Sequence, residues 1–214
     1  MAGFPINQEN SLRPAIPEPI KREVRQRCGF GCILCGKLVC DYEHIVPWSE
    51  CRSHDAENIV LLCTEHHREV TANRIAKERL EDARLAPFAR HPQRRATYSF
   101  EIAPQRVFHA GGNLIYLNGI SPFHIILAED GPVATIEFEY GFPLFSLRLL
   151  DPFRVPMLLV CRNEVIINSE MIWDVELTGT NFIVRKGKGD IVLHIVLDRG
   201  MFVLERAKMR VGKA

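Results

Sequence analysis

The sequence predicts an α+β protein whose two halves are built differently. In the N-terminal half, two pairs of metal-ligand residues flank a strand, a loop and a short strand, and a helix begins at the second pair. In the C-terminal half, short runs of β-branched and aromatic residues recur at intervals of about ten residues, with Gly, Pro, Asn or Asp between them. This second pattern predicts an all-β domain, either an antiparallel sandwich or a rolled sheet, with a β-solenoid as the alternative.

Length, net charge, hydropathy and cysteine content limit the kinds of protein that this chain can be. The chain has 214 residues, which is enough for one large domain or two small ones, and a net charge of +1, so any contact with DNA requires a local basic surface. No apolar run approaches the roughly 20 residues that span a bilayer, and the polar start MAGFPINQENS lacks the features of a signal peptide; we expect a cytoplasmic protein. Three of the seven Cys lie in the ligand pairs and four are scattered, as in a reduced metalloprotein rather than a disulfide scaffold.

Changes in composition divide the chain into four segments. Residues 1–13 have few apolar side chains and are predicted to form a mobile arm, while prolines and arginines predict a linker at residues 87–97. These segments leave an N-terminal domain at residues 14–86 and a β-rich domain at residues 98–214, for which recruitment, sensing or assembly is expected. Six segments of the β-rich domain are the clearest predicted strands: Val133–Tyr140, Phe145–Leu150, Met157–Cys161, Phe182–Lys186, Ile191–Leu197 and Met201–Glu205.

The elements of the N-terminal domain follow from local pattern. Two prolines and then helix formers predict a basic helix over Pro17–Arg27, and alternation predicts a strand over Leu38–Ile45. Polar residues without a period predict a loop over Trp48–Glu57. The apolar run Ile59–Leu62 predicts a short strand, and residues 64 to about 84 predict one helix.

Two ligand pairs predict a structural zinc site. Cys32-x-x-Cys35 and Cys63-x-x-His66 each have the spacing at which one tight turn directs two side chains at a single ion. The alternative is that these residues are only buried thiols and a surface imidazole. Zinc is favoured because both ligand pairs have the right spacing. It would then stabilise a compact unit with few large apolar side chains, since metal binding contributes directly to folding.

The side chains that zinc does not need have the chemistry of a second site. Glu43 offers a hard carboxylate oxygen and His67 an imidazole, so the two could share a divalent ion. His44 follows Glu43 in the predicted strand and therefore points to the opposite side. A neutral imidazole can take a proton from an attacking water, which gives His44 the role of general base in phosphodiester hydrolysis with one metal ion.

Residues 14–85 resemble the HNH family of endonucleases, also called the ββα-metal or His-Me finger family, in its zinc-stapled form. That family has an acid–His–hydrophobe–x–Pro strand, then a loop with Asn, then a Leu-Cys-x-x-Cys-His sequence that opens a helix. The matching residues are Glu43-His44-Ile45-Val46-Pro47, Asn58-Ile59-Val60 and Leu62-Cys63-Thr64-Glu65-His66-His67. The chain departs from the family in having Glu43 where Asp is commoner and His66 where a second Cys is usual.

The resemblance implies a catalytic set of His44, Asn58 and His67. His44 would be the general base, Glu43 and His67 would bind the catalytic ion, and Asn58 would hold the loop that orients the base. The expected ion is Mg²⁺, with Mn²⁺ or Ni²⁺ as alternatives, beside a structural Zn²⁺ on Cys32, Cys35, Cys63 and His66.

The predicted function is a metal-dependent endonuclease that hydrolyses DNA. The alternative is a non-catalytic zinc-binding module that contacts DNA or protein, against which the retained Glu43, His44 and His67 argue. His54 and His109 receive no functional role. Because residues 97–214 hold 12 Lys and Arg against 13 Asp and Glu, the β-rich domain lacks the charge of a DNA binder, and a protein partner, a second copy or a small ligand is expected for it.

Overall fold

The computed structural model describes residues 14–91, 93–118, 121–128 and 131–208, and the arm predicted at residues 1–13 lies outside them. The described chain is α+β with mostly sheet, and its C-terminal part is built from strands. The helices are α1 (Glu18–Arg27), α2 (Trp48–Cys51), α3 (Thr64–Thr71) and α4 (Lys77–Leu85). The strands are β1 (Cys40–His44), β2 (Ile59–Cys63), β3 (Ala96–Ser99), β4 (Val107–Ala110), β5 (Asn113–Tyr116), β6 (Phe123–Ala128), β7 (Gly131–Glu139), β8 (Phe142–Leu150), β9 (Pro156–Cys161), β10 (Glu164–Ile167), β11 (Asp174–Thr178), β12 (Asn181–Gly187), β13 (Asp190–Asp198) and β14 (Met201–Ala207).

The N-terminal part of the chain is a small unit around an antiparallel pair of strands. β1 and β2 pair so that Cys40 lies opposite Cys63 and His44 lies opposite Ile59. All five residues of β2 are buried, because α1 and α3 both pack against it. β1 and β2 therefore form a two-stranded sheet against which α1 and α3 pack.

The predicted helix from residue 64 to 84 is wrong as a single element, because the chain leaves the helix after Thr71. Asn73 adopts a left-handed φ of 56°, a conformation that Asn tolerates better than most residues. Its N–H donates to the carbonyl of Val70, and the N–H of Arg74 donates to the carbonyl of Glu69, each at 2.9 Å. These two bonds form a Schellman motif, which ends α3 before α4 begins.

The predicted loop over residues 48–57 also contains more structure than expected. α2 occupies its start, directly after Pro47, and a 3-10 turn at Ala56–Asn58 closes it. Asp55 caps this turn, since its Oδ1 accepts a hydrogen bond from the N–H of Glu57 at 2.9 Å. The segment between the two strands is therefore held by local hydrogen bonds.

In the described part of the chain, β3 to β14 form two six-stranded sheets. Their strand orders are β3-β10-β9-β8-β7-β6 and β11-β12-β13-β14-β4-β5. Phe145 of the first sheet and Phe202 of the second have ring centroids 4.6 Å apart, so the sheets face each other across a common core. The described strands pair antiparallel apart from β14 with β4, which makes the β-solenoid alternative wrong, because a solenoid stacks parallel strands.

The N-terminal unit lies against the sandwich along residues 87–97, the predicted linker. Ala89 and Ala96 are buried there. The N–H of Phe88 donates to the carbonyl of Ile33 at 2.9 Å, and the N–H of Thr97 donates to the carbonyl of Gly36 at 3.0 Å. The described residues of this segment thus connect the two parts through backbone hydrogen bonds.

A second contact between the two parts is ionic. Arg25 of α1 donates from Nε and Nη2 to the two carboxylate oxygens of Asp174 on β11, at 2.8 and 2.7 Å. The amide of Gln26 donates to the carbonyl of Trp173 at 2.6 Å, and the guanidinium of Arg22 lies 4.4 Å from the centre of the Trp173 ring.

None of the helices within the described ranges is long and apolar enough to cross a membrane.

Candidate metal and catalytic centre

Cys32, Cys35, Cys63 and His66 come together as one cluster. One ligand atom from each lies within 4.8 Å of all the others. Nδ1 of His66 is 3.3 Å from the sulfurs of Cys32 and Cys63, and the sulfurs of Cys35 and Cys63 are 3.7 Å apart. Ligands on one tetrahedral zinc ion are separated by about 3.8 Å between sulfurs and about 3.5 Å between sulfur and nitrogen. The four residues therefore form a cluster that could hold a structural zinc ion.

The backbone around the first ligand pair is folded tightly enough to position it. The N–H of Gly36 donates to the carbonyl of Cys32 at 2.8 Å, and the N–H of Cys32 donates to the carbonyl of Lys37 at 2.9 Å. A Cβ at Gly31 would lie 2.4 Å from the carbonyl oxygen of Gly36. Glycine is thus required at position 31 by close approach of the backbone.

The second ligand pair is positioned by the junction of β2 and α3. Cys63 is both the last residue of β2 and the N-cap of α3, so His66 falls in the first turn of the helix. Burial, with a contribution from Cys32, raises the pKa of Cys35 to about 12. A metal ion binds cysteine as the thiolate, so zinc binding at this cluster would release the proton of Cys35.

Cys28 and Cys40 lie close to this cluster but are not part of it. Cys40 is directly opposite Cys63 in the strand pair, and its thiol donates to the carbonyl of Lys37 at 2.9 Å. Burial raises the pKa of Cys28 to about 12 and also raises the pKa of Cys40. Both are therefore neutral thiols, that of Cys28 buried and that of Cys40 half-buried.

Glu43 and His67 are brought together from β1 and α3. Oε2 of Glu43 is 3.1 Å from Nε2 of His67, and the two side chains are 25% and 35% exposed. Two adjacent ligands at about 2.1 Å from one octahedral ion lie about 3.0 Å apart, so the pair fits joint coordination of a divalent ion. The distance also fits a direct hydrogen bond from His67 to Glu43. The pair is open to solvent in either case.

His44 lies on the other side of the same strand. Its side chain is 5% exposed, while Glu43 beside it is half-buried and faces α3. This is the alternation that a β-strand imposes on neighbouring residues. The two side chains therefore occupy opposite faces of β1.

Asn58 holds the chain that follows His44. Its Oδ1 accepts from the N–H of Val46 at 2.7 Å, and its Nδ2 donates to the carbonyl of Val46 at 2.9 Å. Its own carbonyl accepts from the N–H of Ile45 at 2.9 Å. Asn58 thus binds three backbone groups of the two residues after His44, which is a supporting role.

His54 contacts His44, although no role was predicted for it. Nδ1 of His54 is 3.3 Å from Nε2 of His44, and Nε2 of His54 is 2.8 Å from the carbonyl oxygen of Pro14. Its ring stacks on Trp48 with the centroids 4.5 Å apart. His54 lies in a polar segment without a period, so no signal in the sequence distinguishes it from a surface histidine.

Comparison with known proteins does not identify a relative for this arrangement. No protein-family model matches the chain, and neither a curated protein nor a solved structure matches it. A function for the chain therefore has to be inferred from its own residues.

Proposed function

We propose that the chain is a metal-dependent endonuclease of the HNH type that hydrolyses phosphodiester bonds in DNA. The observation that supports this most strongly is the 3.1 Å approach of Glu43 to His67 on a solvent-open face, with His44 on the same strand. A carboxylate and an imidazole at this distance form a donor set suited to a divalent ion. The order of β1, β2 and α3 around them is the order expected of a ββα-metal site.

Each residue has a defined task in this proposal. Glu43 and His67 hold the ion, expected to be Mg²⁺, and a bound ion would supply positive charge beside the scissile phosphate and the leaving oxygen. His44 accepts the proton of the attacking water. Asn58 keeps the turn after His44 in place through its bonds to Val46. Cys32, Cys35, Cys63 and His66 hold the structural zinc that fixes α3, and hence His67, against β1.

A non-catalytic zinc-binding module is the second candidate function, and one observation favours it. His44 is 5% exposed and its Nε2 contacts His54, whereas a general base has to reach the proton that it removes. Under this alternative, Glu43 and His67 form only a hydrogen-bonded pair. The module would then contact DNA or protein without cutting.

Plasmid cleavage by the full chain separates the two candidates. The zinc-loaded protein would be freed of weakly bound ions and assayed with Mg²⁺, Mn²⁺, Ni²⁺ or additional Zn²⁺, since a chelator alone would also remove the structural ion. We expect cleavage that depends on a second ion. Stoichiometric zinc without cleavage under any of these ions would contradict the endonuclease and support the binding module.

Two variants then distinguish the base from the ion ligand. His44→Ala should lower the cleavage rate by roughly 10²–10⁴-fold with Mn²⁺ affinity nearly unchanged, because it removes a general base. His67→Ala should instead weaken Mn²⁺ binding in calorimetric titration. His109→Ala, at an exposed position on β4, is the control. Equal loss of Mn²⁺ binding in the first two variants would show that His44 is a ligand.

A further inference from the structure

His54 contacts three other residues, one at each ring nitrogen and one on the face of its ring. Its Nδ1 lies 3.3 Å from Nε2 of His44, its Nε2 lies 2.8 Å from the carbonyl oxygen of Pro14, and its ring stacks on Trp48 with the planes 28° apart. The ring of Trp48 also meets His44 edge-on, with the centroids 6.0 Å apart. Both nitrogens of His54 are therefore engaged, and its ring plane is fixed.

The hydrogen bonds of His54 determine where its proton lies. The carbonyl oxygen of Pro14 can only accept a hydrogen bond, so Nε2 of His54 carries the hydrogen and donates it. A neutral imidazole has a hydrogen on one nitrogen only, so Nδ1 of His54 is an acceptor. With both rings neutral, the group that donates to it is Nε2 of His44, which lies 3.3 Å away.

The same reasoning extends to His44. If Nε2 of His44 donates to His54, neutral His44 carries its hydrogen on Nε2 and has its lone pair on Nδ1. The chain of donors thus runs from His44 through His54 to the carbonyl of Pro14. The hydrogen bond made by one imidazole nitrogen sets the state of the other, as in many histidine sites.

We propose that His54 is a positioning residue that holds His44 in the Nε2–H tautomer and in one ring orientation, with Nδ1 as the nitrogen that receives the proton of the attacking water. The role in catalysis rests on the proposed endonuclease function, whereas the tautomer of His44 does not. Without His54, the two tautomers of His44 would both be populated and its ring would lose a partner.

The tautomer can be measured directly in the full-length, zinc-loaded protein. Long-range ¹H–¹⁵N correlation spectra of ¹⁵N-labelled imidazole rings distinguish a protonated from an unprotonated nitrogen, and His44→Gln identifies the signals of His44. We expect His44 in the Nε2–H form in the wild type and a mixture of tautomers in His54→Phe. That variant keeps an aromatic ring to stack on Trp48 and removes both the acceptor for His44 and the donor to the Pro14 carbonyl.

The kinetic consequence is tested by a pair of substitutions at the same position. His54→Phe should lower kcat for plasmid cleavage by about 10- to 100-fold, the loss typical when the hydrogen-bond partner of a metal-binding histidine is removed, with KM little changed. His54→Asn should recover most of this loss, because its side-chain oxygen can accept from Nε2 of His44. The control, His109→Phe, should leave both kcat and KM unchanged.

The two measurements separate failure of this inference from failure of the proposed function. His44 in the Nδ1–H form, or the same tautomer in wild type and His54→Phe, would overturn the role of His54 whether or not the protein cuts DNA. Equal kcat in His54→Phe and His54→Asn would overturn it as well. The expected tautomers in a protein that cuts nothing would instead overturn the endonuclease and leave the positioning of His44 by His54 standing.

Discussion

Asn58 is the residue on which the backbone after His44 most directly depends. Its amide both accepts from and donates to Val46, at 2.7 and 2.9 Å, and its carbonyl accepts from Ile45. β1 ends at His44, and beyond it the side-chain amide of Asn58 makes with Val46 the two hydrogen bonds that a neighbouring strand would otherwise make. His44 is therefore held from both sides, by pairing with Ile59 before the turn and by Asn58 after it.

Asn58→Ala should destabilise the protein and impair the candidate site together. The loss of two backbone hydrogen bonds should cost roughly 1–3 kcal/mol of unfolding free energy, and the freed turn should allow His44 to move. Asn58→Asp should recover only part of the loss, because it keeps the acceptor for the Val46 N–H but places a second oxygen against the Val46 carbonyl. Denaturant unfolding and plasmid cleavage measure the two effects.

Asn113→Ala is a suitable control for Asn58→Ala, since Asn113 donates a single 3.3 Å bond within its own turn. An unfolding free energy for Asn58→Ala equal to that of this control would show that the bonds to Val46 contribute nothing to stability.

At the scale of elements, the turn that carries the candidate zinc ligands Cys32 and Cys35 depends on two glycines that approach each other. A Cβ at Gly31 would lie 2.4 Å from the carbonyl oxygen and 2.8 Å from the carbonyl carbon of Gly36. Neither atom is the flexible end of a side chain, so the backbone itself would have to move. The turn that carries Cys32 and Cys35 would move with it.

Gly31→Ala should weaken zinc binding and destabilise the N-terminal unit, by about 1–3 kcal/mol or more, because overpacking forces a backbone shift. Gly187→Ala is the matched control: it too lacks a positive φ, but a Cβ there meets nothing within 4 Å. Competition with a chromogenic chelator measures zinc affinity, and denaturant unfolding measures stability. Equal zinc affinity in the two variants would contradict the requirement for glycine at position 31.

At the scale of the whole molecule, Arg25 and Asp174 connect α1 to β11 across 149 residues of sequence. Their side chains are 11% and 1% exposed. Burial alone would lower the pKa of Arg25, but the hydrogen bonds and charges of Asp174 and Tyr42 outweigh it and raise that pKa above its ordinary value. Arg25 therefore remains a cation with Asp174 as its nearest counter-charge, while Glu176 lies 3.2 Å from Nη2 of Arg25 and Nε of Arg22 lies 3.6 Å from Oδ2 of Asp174.

Replacing either Arg25 or Asp174 should lower the stability of the protein. Arg25→Met or Asp174→Asn should each lower the unfolding free energy by up to roughly 3–5 kcal/mol, since each breaks a buried ion pair that is joined by two hydrogen bonds. The double variant should lose less than the sum of the two, which a double-mutant cycle measures. Arg74→Met is the control, because the pair of Arg74 and Glu69 is exposed and should change stability little. Additive losses from Arg25 and Asp174 would contradict the coupling.

The pair of Arg25 and Asp174 also affects how the proposed partners of the β-rich domain have to be tested. If residues 98–214 are expressed alone, Asp174 loses Arg25 and the face of β11 that α1 covers becomes exposed. Self-association of that fragment could then come from the new surface rather than from a native interface. The proposal that this domain binds a protein partner or a second copy is therefore better tested with the full chain by light scattering.

Much of the N-terminal unit could be predicted because its signals are local. The candidate zinc ligands Cys32, Cys35, Cys63 and His66 are specified by spacing within two short turns, and alternation along β1 separates Glu43 from His44. The six strands singled out in the β-rich domain lie on β7, β8, β9, β12, β13 and β14. In each case, residues close in sequence carry the whole signal, so a short window of the chain is sufficient.

Only the tertiary structure decided which distant residues meet. The contact of His54 with His44 depends on how α2 and the 3-10 turn fold back between β1 and β2, and the pair of Arg25 with Asp174 depends on how the unit lies on the sandwich. The parallel pairing of β14 with β4 joins strands almost one hundred residues apart. The free energy of such contacts comes from burial and charge compensation between elements, which no local pattern in the sequence encodes.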